Sequence, residues 1–112
     1  MKWSEAAAGH VARGDTALAS GAALTAAEAF IRAGLFYHWA NFMFTHDQAQ
    51  FSTAFTNMAE CWRKAAPHLN PGMEILAVDF ESVALPGYLQ LPNGIRNPPL
   101  ILLLPGADSN KE

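Results

Sequence analysis

Few side chains in this 112-residue chain have the company that chemistry requires. The single cysteine, Cys61, excludes an intrachain disulfide and any multi-cysteine metal site. It stands next to Trp62 and reads as a small packing residue, because a reactive thiolate needs a cationic partner held against it. The histidines are His10, His38, His46 and His68, and no two of them are four residues apart, so the helical zinc-ligand spacing is missing and no metal is expected. His38, beside Tyr37 and near Asn41, would act as a base only with a nucleophile in hydrogen-bond reach. Tyr37 and His38 are therefore candidates for lining a substrate pocket, not for catalysis. Ser109 lies in Asp108-Ser109-Asn110, and no Gly-x-Ser-x-Gly occurs anywhere, so the chain holds no serine on a strand-to-helix elbow. No catalytic residue is assigned within it.

The elements that carry these residues fall into two compositional halves. Before Pro67 lie 18 of the 21 alanines, three of the four histidines and ten of the twelve aromatics; six of the seven prolines follow Pro67. The first half favours helix and the second favours strands and turns. Charged residues make up 15% and hydrophobic residues 51%, which excludes a disordered tail. With a net charge of −3 and no basic cluster, nucleic acid is not an expected partner. No stretch reaches the ~18 apolar residues of a membrane span, and Lys2-Trp3-Ser4-Glu5 does not open a secretory signal. A soluble cytoplasmic protein without membrane contact is expected.

A first helix is predicted within Ser4–Ala19, weakened by Gly9 and Gly14 and stopped at Gly21. Thr25-Ala26-Ala27-Glu28 has capping-box spacing and predicts a second helix from Ala26 to about Phe44. Phe30, Ile31, Leu35, Phe36, Trp39, Phe42 and Met43 go nearly all round it, so it needs partners on several sides. A third helix is predicted from Asp47, with Gln50 at the capping distance, an apolar stripe of Phe51, Phe55, Met58, Trp62 and Ala65, a Glu60–Lys64 pair on the solvent side, and a stop at Pro67. The short link between the second and third helices makes them antiparallel neighbours.

From Met73 the pattern becomes strand-like. Ile75–Phe80 and Ala84–Leu91 read as a hairpin joined at Glu81-Ser82, with Pro86-Gly87 marking a bend or bulge. Leu100–Leu104 is an unbroken apolar run bounded by Pro98-Pro99 and Pro105-Gly106, the pattern of a strand covered on both faces. Both the all-round apolar helix and this run lack matter to bury them. The sequence thus reads as the first part of something larger, or as a chain covered by a second copy in a homodimer, and poor solubility is expected for it in isolation.

These residues resemble a family. Residues 26–40 (Ala-Ala-Glu-Ala-Phe-Ile-Arg-Ala-Gly-Leu-Phe-Tyr-His-Trp-Ala), the Leu85-Pro86-Gly87-Tyr88-Leu89 hairpin, and the apolar strand ending in Gly106-Ala-Asp-Ser-Asn-Lys-Glu112 are similar to the start of the α/β-hydrolases typified by dihydroxypseudooxynicotine hydrolase. Fungal polyketide-shortening hydrolases and the fermentation–respiration-switch esterase-like proteins are related members. The resemblance covers nearly all of this chain and about the first third of such an enzyme. It implies an α/β fold: a helical cap segment over residues 1–68, then the first three strands of the hydrolase sheet and the oxyanion loop over 69–112, ending before the nucleophile elbow. It implies a serine acyl-transfer type reaction on a small-molecule carbonyl substrate, an aryl ketone or an ester, with no metal or organic cofactor. By family position Gly106, Ala107 and Asp108 form the oxyanion loop, where backbone amides meet the developing charge. Ala107 stands where relatives tend to have Leu and Asn110 where they have Thr, and the triad has no counterpart here.

A different class of function is also open. Gly21, Ala29, Ala40 and Ala54 in paired helices echo tetratricopeptide-type packing, which would make the chain a helical protein-interaction module without catalysis. That repeat is about 34 residues long and is normally found in three or more copies.

Overall fold

The computed structural model describes residues 2–42 and 46–106. Lys2–Ala19 forms α1, Ala23–Phe42 forms α2 and Gln48–Ala65 forms α3; a 3-10 turn at Ala66–His68 leads to β1 (Met73–Phe80) and β2 (Val83–Gln90). Both glycines inside α1 are helical, and only one of them packs. Gly14 is buried, and a Cβ there would lie 2.5 Å from the Phe30 ring, whereas Gly9 faces open space.

The α1 stop at Gly21 is as predicted. Gly21 takes the left-handed conformation (φ +80°), its amide donates to the Leu18 carbonyl, and the Ala22 amide donates back to Ala17. This double closure needs a residue tolerant of positive φ just past the helix. The chain then re-enters helix at Ala23, and the Ala22 carbonyl accepts from the Ala26 amide at 2.9 Å. The capping-box reading is thereby corrected: Thr25 and Glu28 lie inside α2, because the turn at Gly21 already delivers the chain in helical direction. At α3 the predicted cap is present. Asp47 accepts from the Gln50 amide at 3.0 Å and from its side-chain nitrogen at 2.6 Å. Pro67 follows two residues after the end of α3, within the 3-10 turn.

The helices alternate in direction. Gly14 meets Phe30, while Trp3 and His10 meet Phe36 at 5.6 and 5.2 Å; Asn41 donates to the Met58 sulfur, while Gly34 lies against Trp62 and Cys61. The core is made mainly of alanine, with Phe30 and Met58 the largest fully buried side chains. Of the predicted α3 stripe, Met58 and Ala65 are buried, Phe51 and Trp62 are half-buried, and Phe55 is exposed. The expected Glu60–Lys64 pair is replaced. Lys64 reaches Asp15 on α1 at 2.9 Å and lies 5.1 Å from the Phe30 ring centre, and Glu60 faces Arg63 at 3.7 Å. A cation that can bind a carboxylate on another helix and also cover an aromatic face does better than one turned to solvent.

α2 meets α1 and α3 on one side only. Leu35, Trp39 and Phe42 remain about half exposed on the other, so the all-round apolar pattern is left partly uncovered. The hairpin pairs antiparallel from Phe80–Val83 to Met73–Gln90, with Glu81 in the left-handed region (φ 52°) at the two-residue turn. The register is continuous through Pro86 and Gly87, which face Ala77 and Leu76, so there is no bulge. A proline fits there because each strand of a two-stranded sheet has an open edge that needs no amide donor. The hairpin is held to the rest by Trp62–Tyr88 ring contact at 6.4 Å, by Gln90 donating to the Pro71 carbonyl and by Asn93 donating to Asn70.

The third strand is not formed. Leu100–Leu104 pairs with nothing in the sheet, and its side chains are 74–86% exposed. The apolar pattern is necessary for a buried strand, but a strand also needs a neighbouring edge and covering layers, and none of the described elements supplies them.

The two α1 glycines give a direct test of the packing. Gly14→Ala is expected to lower stability by about 1–2 kcal/mol, the overpacking cost outweighing the helix-propensity gain. Gly9→Ala is expected to raise it by about 0.5–1 kcal/mol. Thermal unfolding followed by circular dichroism at the helical band reads both.

Candidate functional site

α1 and α3 flank α2 and leave a groove between them, floored by Tyr37. One depression of about 300 Å³ is lined by Ser4, Tyr37, Ala49, Gln50, Thr53, Ala54 and Asn57. It adjoins a smaller one of about 110 Å³, bounded by Val11, Glu60, Cys61 and Lys64 and sharing Tyr37 and Asn57. The groove exists because the side chains that separate the helices here are small. Ala7, Ala33, Ala40 and Ala54 are all buried around Tyr37 and Met58.

Tyr37 is 8% exposed, and burial, with the Cys61 thiol as a second cause, holds its phenol above the usual range, so the hydroxyl keeps its proton as a donor. Cys61 is buried beneath the smaller depression. Desolvation pushes its thiol up to about 11, against the opposing pull of Lys64. It is therefore a protonated packing residue at neutral pH, as its position beside Trp62 indicated.

His38 does not face this groove. It is one residue on from Tyr37, about 100° round the helix, and its ring lies 6.1 Å from both Trp39 and Phe42. Its buried Nδ1 has no hydrogen-bond partner among the described residues, and the same is true of His10 Nδ1. The two pocket candidates thus sit on different faces of α2. The residues missed by sequence reasoning are Ser4 and Asn57: each is a polar residue on a helix, and only the packing of α1 and α3 about Tyr37 brings them together. Among the described residues no three His, Cys, Asp or Glu side chains converge in a way that could hold a metal.

Of the oxyanion-loop candidates, Gly106 is exposed, with open space where a Cβ would project, and follows the uncovered Leu100–Leu104 run. Ala107 and Asp108 lie outside the described residues. No helix among the described residues is long and apolar enough to cross a membrane.

The fold matches a solved structure. The crystal structure of 2,6-dihydroxy-pseudo-oxynicotine hydrolase superposes with a TM-score of 0.77 over 84% of this chain and 26% of that one, at 24% identity. In sequence, the chain is 31% identical along its whole length to the α/β-hydrolase pydG of an Acremonium species. The chain is similar in sequence to α/β-hydrolases. It is also 35% identical over 88% of its length to the α/β-hydrolase xenA of Xenoacremonium sinensis, and 28% identical over 98% to the 2,6-dihydropseudooxynicotine hydrolase of Paenarthrobacter nicotinovorans. It spans 28%, 24% and 29% of these three, about a quarter of their length. No family model matches the chain. The three helices and two-stranded antiparallel sheet of the described residues match part of the solved hydrolase structure.

Burial of Cys61 has two measurable consequences. The folded chain is expected to react with Ellman's reagent at pH 8 only as fast as it unfolds, and at once in denaturant. The thiol is neutral in the fold to about pH 11 but ionises near its ordinary value of 9.0 when unfolded. The unfolded chain therefore sheds its proton first, and stability contributed by the neutral thiol is lost as pH rises through that window. Cys61→Ala should flatten the decline in denaturation midpoint between those pH values.

Proposed function

We propose that this chain is the N-terminal portion of a serine-type α/β-hydrolase. Residues 1–68 act as a helical cap segment, and residues 69–112 as the first strands of the main sheet and the oxyanion loop. The single observation that carries this is similarity along the whole chain to hydrolases about four times as long. The uncovered Leu100–Leu104 run supports it, since such a run becomes a central strand once flanking strands and helices are added.

In that enzyme an elbow serine, supplied outside these residues, attacks the carbonyl carbon of a small-molecule substrate. Backbone amides near Gly106, Ala107 and Asp108 stabilise the oxyanion as charge moves onto the carbonyl oxygen. A loop that begins with glycine lets the backbone approach the reacting centre closely. The bond cleaved is the carbon–carbon bond of an aryl ketone, or an ester. Of the two pocket candidates, Tyr37 lines the substrate side of the cap and His38, on another face of α2, does not; the chemistry proceeds without metal or organic cofactor. The enzyme is cytoplasmic and a homodimer. The interaction-module reading has less support, because the helices are followed by a hairpin and show no repeating unit.

A chimera tests the proposal. Replacing the matched segment of the Paenarthrobacter nicotinovorans hydrolase with this chain should give a folded enzyme that still turns over that enzyme's substrate. The rate should fall by no more than about a hundredfold, the scale of a small misplacement near a reacting centre. A folded chimera without turnover would overturn the cap and oxyanion-loop assignments. The 112-residue chain alone should hydrolyse p-nitrophenyl acetate no faster than buffer does, and saturable turnover would overturn the absence of a nucleophile.

A further inference from the structure

We propose that the outer face of α2 is the surface through which two copies of this chain pair antiparallel. The pairing gives the homodimer of the proposed function its contact and rests on that reading, though not on its chemistry. Helical spacing puts Leu24, Glu28, Ile31, Leu35, His38 and Phe42 on one stripe, within about 40° of a common line and about 27 Å long. Leu24, Leu35 and Phe42 are 46–56% exposed, Ile31 is half-buried and Glu28 is exposed. The stripe lies on the far side of α2 from Tyr37, so a second copy seated on it leaves the groove open.

Exposed apolar area alone does not select an occupant, but the order of residues along the stripe does. Reversed end for end about the level of Ala33, the stripe matches itself. Leu24 meets Phe42 of the second copy, Glu28 meets its His38, and Ile31 meets its Leu35. Each meeting is made twice across a two-fold axis, which is the self-complementarity that a symmetric dimer contact requires. Apolar residues meet apolar ones, and a carboxylate meets an imidazole that can donate to it. Parallel pairing would set Glu28 against Glu28, a like-charge contact that costs affinity. Both polar members also lack such a partner within the chain. Among the described residues no ion pair or hydrogen bond engages the Glu28 carboxylate, and His38 Nδ1 is buried without a hydrogen-bond partner. The His38 ring stacks on Phe42 of the same stripe at 6.1 Å. A single helix pair of this length is at the small end of specific interfaces, so a dissociation constant on the order of 10 μM is expected.

The experiment is sedimentation equilibrium of the 112-residue chain, at concentrations from about tenfold below that value to about tenfold above it. A monomer–dimer equilibrium is expected, and Leu35→Glu should leave only monomer. Glu28→His and His38→Glu should each weaken the dimer at least about tenfold, since each leaves two facing pairs mismatched. The two substitutions together restore the pairs with their ends exchanged and should return the dissociation constant to within about threefold of the unaltered chain. Register is read by cross-linking in a Cys61→Ala background. Chains with Leu24→Cys and chains with Phe42→Cys should form disulfides with each other on mild oxidation and not with their own kind. Circular dichroism at the helical band checks that each variant is folded; should Leu35→Glu unfold, the cross-linking pattern decides alone. A monomer at every concentration would leave the stripe to some other partner and overturn the proposal. So would association unchanged by Leu35→Glu, which would place the contact elsewhere, as on Leu100–Leu104. An exchange that fails to restore the dimer, or like-with-like cross-links, would overturn it too. The readout is association, whereas the hydrolase chimera is read by turnover, so the two proposals fail separately.

Discussion

The helical layer depends on the seat of one side chain. Phe30 is fully buried where α1, α2 and α3 come together, and Gly14 is the residue that lets it in, since any Cβ there would overlap three ring carbons within 3 Å. Ala26, Ala27 and Ala65 close the remaining sides. Lys64 then lies over the ring and binds Asp15, so one cation ties α3 to α1 across the aromatic of α2. That ion pair is partly exposed, and exposed pairs are worth little by themselves, on the order of 0–1 kcal/mol. Its value is in register: the three helices meet at fixed positions because a ring, a missing Cβ and a charge pair must coincide.

A core built this way is economical in volume. Most buried positions hold alanine, which brings the helix backbones close but removes little apolar area from water. The large apolar side chains are spent elsewhere, on surfaces that nothing among the described residues covers: Leu35, Trp39 and Phe42 on α2, both faces of the hairpin, and the whole of Leu100–Leu104. The groove over Tyr37 follows from the same economy. With alanine walls, α1 and α3 reach α2 without filling the space between themselves, and a buried phenol is left at the bottom of an open slot.

What could be read from sequence and what could not divide along the range of the interactions. Gly21, Asp47 and Pro67 act on their own neighbours within a few residues, and each marks an end where one was expected. Thr25 and Glu28 have the right spacing for a cap, but the turn before them had already restarted the helix, and spacing alone does not reveal what precedes it. Gly14 reads as a helix weakener until Phe30, sixteen residues away, is seen to need its missing Cβ. Lys64 has Glu60 one turn back and still prefers Asp15, forty-nine residues distant, because the competing partner comes with an aromatic face. The groove belongs wholly to this second kind. Ser4 and Asn57 are unremarkable in sequence, and Tyr37, a pocket candidate from the start, gains them as neighbours only through the antiparallel packing of three helices.

The Leu100–Leu104 segment carries the same argument to its limit. Five consecutive aliphatic residues between prolines have every local property of a buried strand, yet the segment is unpaired and almost fully exposed. Local preference for extended backbone amounts to a fraction of the energy of a strand; the rest is supplied by ladder hydrogen bonds and by side chains packed on each face. A segment with the preference and without the partners is therefore a record of an environment rather than a stable element. The relatives are about four times as long, and an unbroken apolar run is the pattern of a strand in a sheet covered on both sides. The same holds for the exposed face of α2. A helix apolar nearly all round is best stabilised when enclosed, and among the described residues α1 and α3 cover only part of α2, leaving Leu35, Trp39 and Phe42 about half exposed.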